Sequence, residues 1–69
     1  MEKKKVRWAE VLGELAPLAV TQISNDRPDV AVEVLLRDDA AVVSPEFNPK
    51  RVRVFVDYNF IVVKVPVIG

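Results

Sequence analysis

Apolar positions along the chain change period partway through. From Ala16 they fall at helical spacing, with Ala16, Ala19, Val20 and Ile23 on one face. Pro17 lies in the first turn of that segment, where a missing N–H is tolerated. Asn25 and the following Asp-Arg-Pro-Asp end it, because the residue before a proline avoids the α region. The period then drops to two. Residues 30–36, Val-Ala-Val-Glu-Val-Leu-Leu, predict a strand, with Arg-Asp-Asp at 37–39 as its polar end. Residues 51–57, Arg-Val-Arg-Val-Phe-Val-Asp, predict a second strand with Val52, Val54 and Val56 on one face. Tyr58 and Asn59 make a turn, and residues 60–65 predict a third strand that Pro66 confines to an edge or an end. Ahead of the helix, residues 8–13 read as a short turn or 3-10 segment ending at Gly13. Trp8 there anchors the N-terminal segment onto the core, and residues 1–7 read as a frayed tail.

The order is therefore helix, strand, long loop, strand, turn, strand, an α+β arrangement in which one helix covers a small sheet. Strands two and three are close enough to pair antiparallel. Strands one and two are separated by a stretch with no periodicity of its own, long enough to allow parallel pairing. Ordered loops of that length in a small domain are usually functional.

Composition narrows the function. The 69 residues make one domain, with no linker, repeat or low-complexity tract. There is no Cys and no His, so a disulfide framework and a Cys/His zinc site are both excluded. Stability must come from apolar packing, which 51% hydrophobic residues permit. Ten basic residues balance ten acidic ones, which argues against nucleic acid as the partner. The basic run at residues 3–7 is read as part of the solvated tail. No apolar run approaches the ~18 residues of a membrane span. The N-terminus lacks the apolar middle of a signal peptide, as in a leaderless cytoplasmic or mature secreted form. No cofactor or metal is expected, and the chain is expected to be a monomer.

Catalysis is not expected either. Ser24 and Ser44 have no histidine to act as base. Asp38 and Asp39 are adjacent, a poor geometry for a carboxylate pair on a strand. Arg51 and Arg53 say more. Two apart on a strand, they project from the face opposite the valines. Alone they would be a solvated face. The preceding loop, however, carries Ser44 and Glu46, which can share one face of an extended segment with Pro45 turned away between them. A guanidinium is a planar fork of donors suited to such acceptors. Two arginines beneath two acceptors would hold the loop in one extended shape for a partner.

These residues carry a resemblance. Trp-Ala-Glu-Val-Leu-Gly at 8–13, Asn-Asp-Arg-Pro-Asp at 25–29, residues 42–57 and Val-Pro-Val-Ile-Gly at 65–69 resemble, in order, four blocks of the potato inhibitor I family of serine protease inhibitors. The resemblance covers all but the tail. It implies a single helix on a small mixed β-sheet, with a long exposed binding loop between two parallel strands. It implies a subtilisin-like or chymotrypsin-like serine protease as partner, met by a loop that enters the cleft as a substrate and is barely hydrolysed. The presented bond would be Pro45–Glu46, within a loop of Ala41, Val42, Val43, Ser44, Phe47 and Asn48. Arg51, Arg53 and Gly69 would support the loop from beneath.

The chain departs from the family pattern in places. Pro45 stands at the specificity position and has no N–H to donate to an enzyme. Leu-Arg-Asp-Asp-Ala-Ala at 36–41 replaces a shorter Pro-x-Gly turn. Asn48 stands where arginine is frequent, and residues 8–13 lack the family's proline. If the extra residues lie after the bond, Val43–Ser44 is presented instead. Only Pro45–Glu46 keeps Glu46, Phe47, Pro49, Arg51 and Arg53 all in step. Two functions follow from the resemblance: an inhibitor, or a non-inhibitory interaction module on the same scaffold.

Overall fold

The computed structural model describes residues 4–42 and 45–69, with the backbone alone for 40–42. A 3-10 turn at Ala9–Val11 leads into helix α1, Ala16–Asp26. Strand β1 is Ala31–Leu36, a second 3-10 turn is Arg37–Val42, strand β2 is Arg51–Val56, and the short strand β3 is Val67–Ile68. The sheet has the order β1-β2-β3. β1 and β2 run parallel with Val32 opposite Val52 and Val34 opposite Val54, while β3 is antiparallel to β2 with Ile68 opposite Val52.

Each element starts and stops for a local reason. The Ala16 N–H, which the helix leaves unpaired, donates to Phe60 O at 2.8 Å, and Pro17 in the first turn has no N–H to satisfy. The helix ends where Arg27 leaves the α region ahead of Pro28, its N–H closing the last turn on Ile23 O at 2.8 Å. Gly13, at φ +87°, makes a left-handed turn that donates to Val62 O at 2.9 Å, a backbone conformation that disfavours a side chain.

The core lies between helix and sheet. Alternation in β2 buries Val52, Val54 and Val56, and Ala16, Ala19 and Ile23 meet them from α1. Val20, expected on the same face, is only half-buried. Trp8, Val11 and Val62 complete the cluster. Trp8 is wholly enclosed, and its indole N–H donates to Asp26 Oδ2 at 3.0 Å, so the anchor also meets its polar need.

Two expectations are corrected. Residues 60–65 do not form the third strand. Their N–H groups go to different neighbours: Phe60 and Ile61 donate to Asp57, Val62 to Glu14 O at 2.9 Å, and Val63 to Phe55 O at 3.0 Å. Divided pairing leaves isolated bridges (Leu15 with Ile61, Val56 with Val62), and the third strand forms only after Pro66. Residues 5–7 are not a frayed tail. Ile68 N–H donates to Val6 O at 3.0 Å, Trp8 N–H to Pro66 O at 3.0 Å, and Arg7 bridges Val67. This arm covers the open edge of β3, whose backbone groups need partners.

Candidate functional site

The loop joining β1 to β2 leaves the sheet through the 3-10 turn Arg37–Val42. Tyr58 Oη donates to Asp38 Oδ2 at 2.7 Å and ties that turn to the one at residues 58–59. The Asp38 carboxylate accepts this bond and repels a phenolate, which raises the Tyr58 pKa. The segment expected to be the polar end of the strand is thus a 3-10 turn tied down at Asp38. Val43 and Ser44, placed in the loop by sequence, lie outside the described residues, as do the side chains of Ala41 and Val42.

From Pro45 the loop returns fully exposed. Pro45, Glu46, Phe47 and Asn48 all face solvent, and Phe47 is 72% exposed. A large apolar side chain left in water has contact area available for a partner. The segment is nevertheless held by its backbone. Arg51 Nη2 donates both to the main-chain carbonyl of Glu46 and, at 2.7 Å, to Gly69 O. Its Nε adds a bond to Gly69 O at 3.1 Å. Gly69 N–H returns to Arg51 O at 2.8 Å, and Asn48 N–H donates to Gly69 O at 3.3 Å. One guanidinium therefore joins the loop, β2 and the C-terminal strand, as a planar fork with fixed donors can.

Asn48, noted in the sequence only as a departure, builds the turn out of the loop. Its Oδ1 accepts from Lys50 N–H at 2.9 Å, and its carbonyl accepts from Arg51 N–H at 3.2 Å. Such Asx turns are the usual role of Asn ahead of Pro. Arg53 also projects from the outer face, as its alternation with the valines requires. Its Nε donates to Glu33 Oε1 at 3.4 Å, across the parallel register that places Glu33 opposite Arg53. Glu33 was passed over in the sequence, although a lone charged residue inside an alternating strand marked it.

Behind the exit turn lies a charge cluster that sequence reasoning also missed. Arg27, only 7% exposed, grips Asp29 bidentately at 2.9 and 3.0 Å and donates to Lys5 O at 2.8 Å. Asp29 Oδ2 accepts a further bond from Lys50 Nζ at 2.9 Å. Hydrogen bonds from Arg27 first, then Lys50, hold the Asp29 carboxyl well below the usual carboxylate range. Nearby, Lys5 pairs with Glu10 and Asp26, and Gln22 Nε2 donates to Glu10 Oε2 at 3.1 Å.

The depressed Asp29 pKa has a definite sign. The carboxyl titrates lower when folded than its unfolded value of about 3.9. Its contribution is complete above that value and is lost as pH falls toward the folded one. Melting temperatures of the protein and of Asp29→Asn should therefore converge as pH falls from about 6 toward 2. A separation that stays constant across that range contradicts the assignment.

Among the described residues no group of acidic side chains can hold a metal ion, and no helix is long and apolar enough to cross a membrane. What the geometry defines is a presenting scaffold: one helix on a three-stranded mixed sheet, with an exposed loop between parallel strands braced from beneath by an arginine. Comparison with known proteins makes the class specific. The chain belongs to the Potato inhibitor I family, whose family model matches residues 1–69. It is 38% identical over 65 residues to Subtilisin inhibitor 1 of Phaseolus angularis, covering 94% of this chain and 68% of that protein. It is 34% identical over 65 residues to a chymotrypsin inhibitor of Lumbricus terrestris, covering 94% of this chain and 73% of that protein. Its fold matches the crystal structure of bitter gourd trypsin inhibitor at a TM-score of 0.89, with 27% identity over 97% of this chain and 96% of that one.

Proposed function

We propose that this protein inhibits serine proteases by offering residues 41–48 as a substrate-like segment, with Pro45–Glu46 as the presented bond. The observation that carries this reading is the shared guanidinium of Arg51, which holds the carbonyl of Glu46 against the C-terminal strand. A protease that cuts after Pro45 would find the new amine of Glu46 still tethered. It would stay beside the acyl-enzyme, and re-closure would compete with hydrolysis. A segment already held at Glu46 and Asn48 also loses little entropy there on binding. Family membership and two relatives, a subtilisin inhibitor and a chymotrypsin inhibitor, support subtilisin-like or chymotrypsin-like targets. Proline carries no cation for the acidic pocket of trypsin, so trypsin is the weaker target.

Removing the brace tests the mechanism. Arg51→Ala deletes hydrogen bonds from a charged donor, worth about 1.5–3 kcal/mol each. Inhibition should weaken by about 10- to 100-fold, and the presented bond should be hydrolysed faster. An inhibition constant within about twofold of the parent would show that Arg51 does not hold the loop in its binding shape. If the parent protein inhibits no serine protease, the second reading stands: an interaction module on the same scaffold.

A further inference from the structure

We propose that Asp29 is a positioning residue for the loop, acting through Lys50 as a brace separate from Arg51. The inference rests on the loop being the protease-binding segment. Lys50 is the last residue before β2, and three of its groups are engaged. Its N–H is taken by Asn48 Oδ1 at 2.9 Å, its carbonyl by Ala31 N–H at 2.8 Å, and its Nζ donates to Asp29 Oδ2 at 2.9 Å. The first two hold it within the loop exit and the sheet. The third ties it to the turn after α1, 21 residues earlier in the chain.

Asp29 suits this task because it is fixed from behind. The nearly buried Arg27 holds both of its carboxylate oxygens and is itself secured to the carbonyl of Lys5. The carboxylate therefore offers Lys50 a rigid acceptor, while Lys50 on its own is a long flexible chain. The brace lies on the side of the presented bond that carries the leaving amine. Loosening it frees Asn48, because Asn48 Oδ1 is bound to the Lys50 N–H. Arg51 secures that segment from the C-terminal strand, and Asp29 secures it from the helix side.

The test is a mutant cycle of Lys50→Met, Asp29→Asn and the double variant, read in two ways. The first is backbone amide exchange at Asn48 and Arg51 in the free protein. The second is the ratio of hydrolysed to intact inhibitor at equilibrium with subtilisin. Lys50→Met leaves the Arg27–Asp29 pair intact. It should speed exchange at both amides about threefold and shift the hydrolysis ratio by a similar factor, with melting moved by less than about 2 °C. Asp29→Asn should give the same loop effect with a larger fall in melting, since it also removes the carboxylate that Arg27 grips. The double variant should match Asp29→Asn in the loop, and Lys50→Arg should restore the parent behaviour. About 0.5 M NaCl should erase the difference between the parent and Lys50→Met, as screening of an exposed pair requires. Unchanged exchange in Lys50→Met, or additive loop effects in the double variant, overturns the proposal. If the parent inhibits no protease, the exchange arm still decides whether the brace exists, and only the inhibitory function fails.

Discussion

Pro45→Leu should tighten binding to subtilisin by at least about 100-fold, the largest functional effect expected of any single substitution here. Two deficits are repaired at once. Leucine restores the N–H that a substrate-like strand donates to the enzyme, whose absence leaves a protease carbonyl unpaired at a cost of about 1–3 kcal/mol. It also supplies an apolar anchor for the specificity pocket, worth about 2 kcal/mol or more in well-packed interfaces. Pro45 is exposed, so a leucine there displaces no buried packing among the described residues. Competition assays with subtilisin and chymotrypsin measure the gain. A gain of less than about fivefold would mean that Pro45 is not at the specificity position. The alternative register, with Val43–Ser44 presented, would then be favoured.

Trp8→Ala should lower folding stability by about 3–5 kcal/mol, the largest structural effect expected. The side chain is wholly buried against Val11, Ile23 and the β2 valines, and its loss leaves a cavity that short valines cannot fill. The indole bond to Asp26 Oδ2 is lost as well, although Lys5 Nζ at 3.3 Å still serves that carboxylate. At about 0.05–0.15 kcal/mol per residue, a 69-residue domain has roughly 3–10 kcal/mol in total, so the variant is left near the edge of folding. Circular dichroism should show a melting point lower by at least about 12 °C. A fall of less than about 5 °C would mean that Trp8 is not a main support of the core.

The parts of this molecule legible in its sequence are those set by short-range period. The valines of β2 alternate, so their burial and the outward face of Arg51 and Arg53 follow from strand geometry. The helix is bounded by Pro17 and by Pro28, both local signals. Parallel pairing of β1 and β2 followed only as a possibility from loop length, and the resemblance to known inhibitors made it definite. What escaped depends on contacts distant in the chain. Glu33 meets Arg53 only because the strands pair in one register, which no local pattern reveals. The bond between Asp29 and Lys50 joins two turns that meet only in the folded chain. The third strand was misplaced because residues 60–65 have strand-like composition, whereas their hydrogen bonds are divided among Asp57, Glu14 and Phe55. The N-terminal arm read as a tail because its charges hid the backbone pairing of Val6 and Trp8 with the C-terminal segment.

The proposed function is a loop, braced at Glu46 by Arg51, offered to a serine protease at Pro45–Glu46. It is tested most directly by titrating subtilisin, chymotrypsin, elastase and a prolyl-specific protease with this protein, then finding by mass spectrometry where the bound chain is eventually cut. The prediction is inhibition of at least one of these enzymes at micromolar concentration, with slow cleavage confined to the bond between Pro45 and Glu46. Inhibition of none of them, or rapid cleavage at another bond, would contradict it.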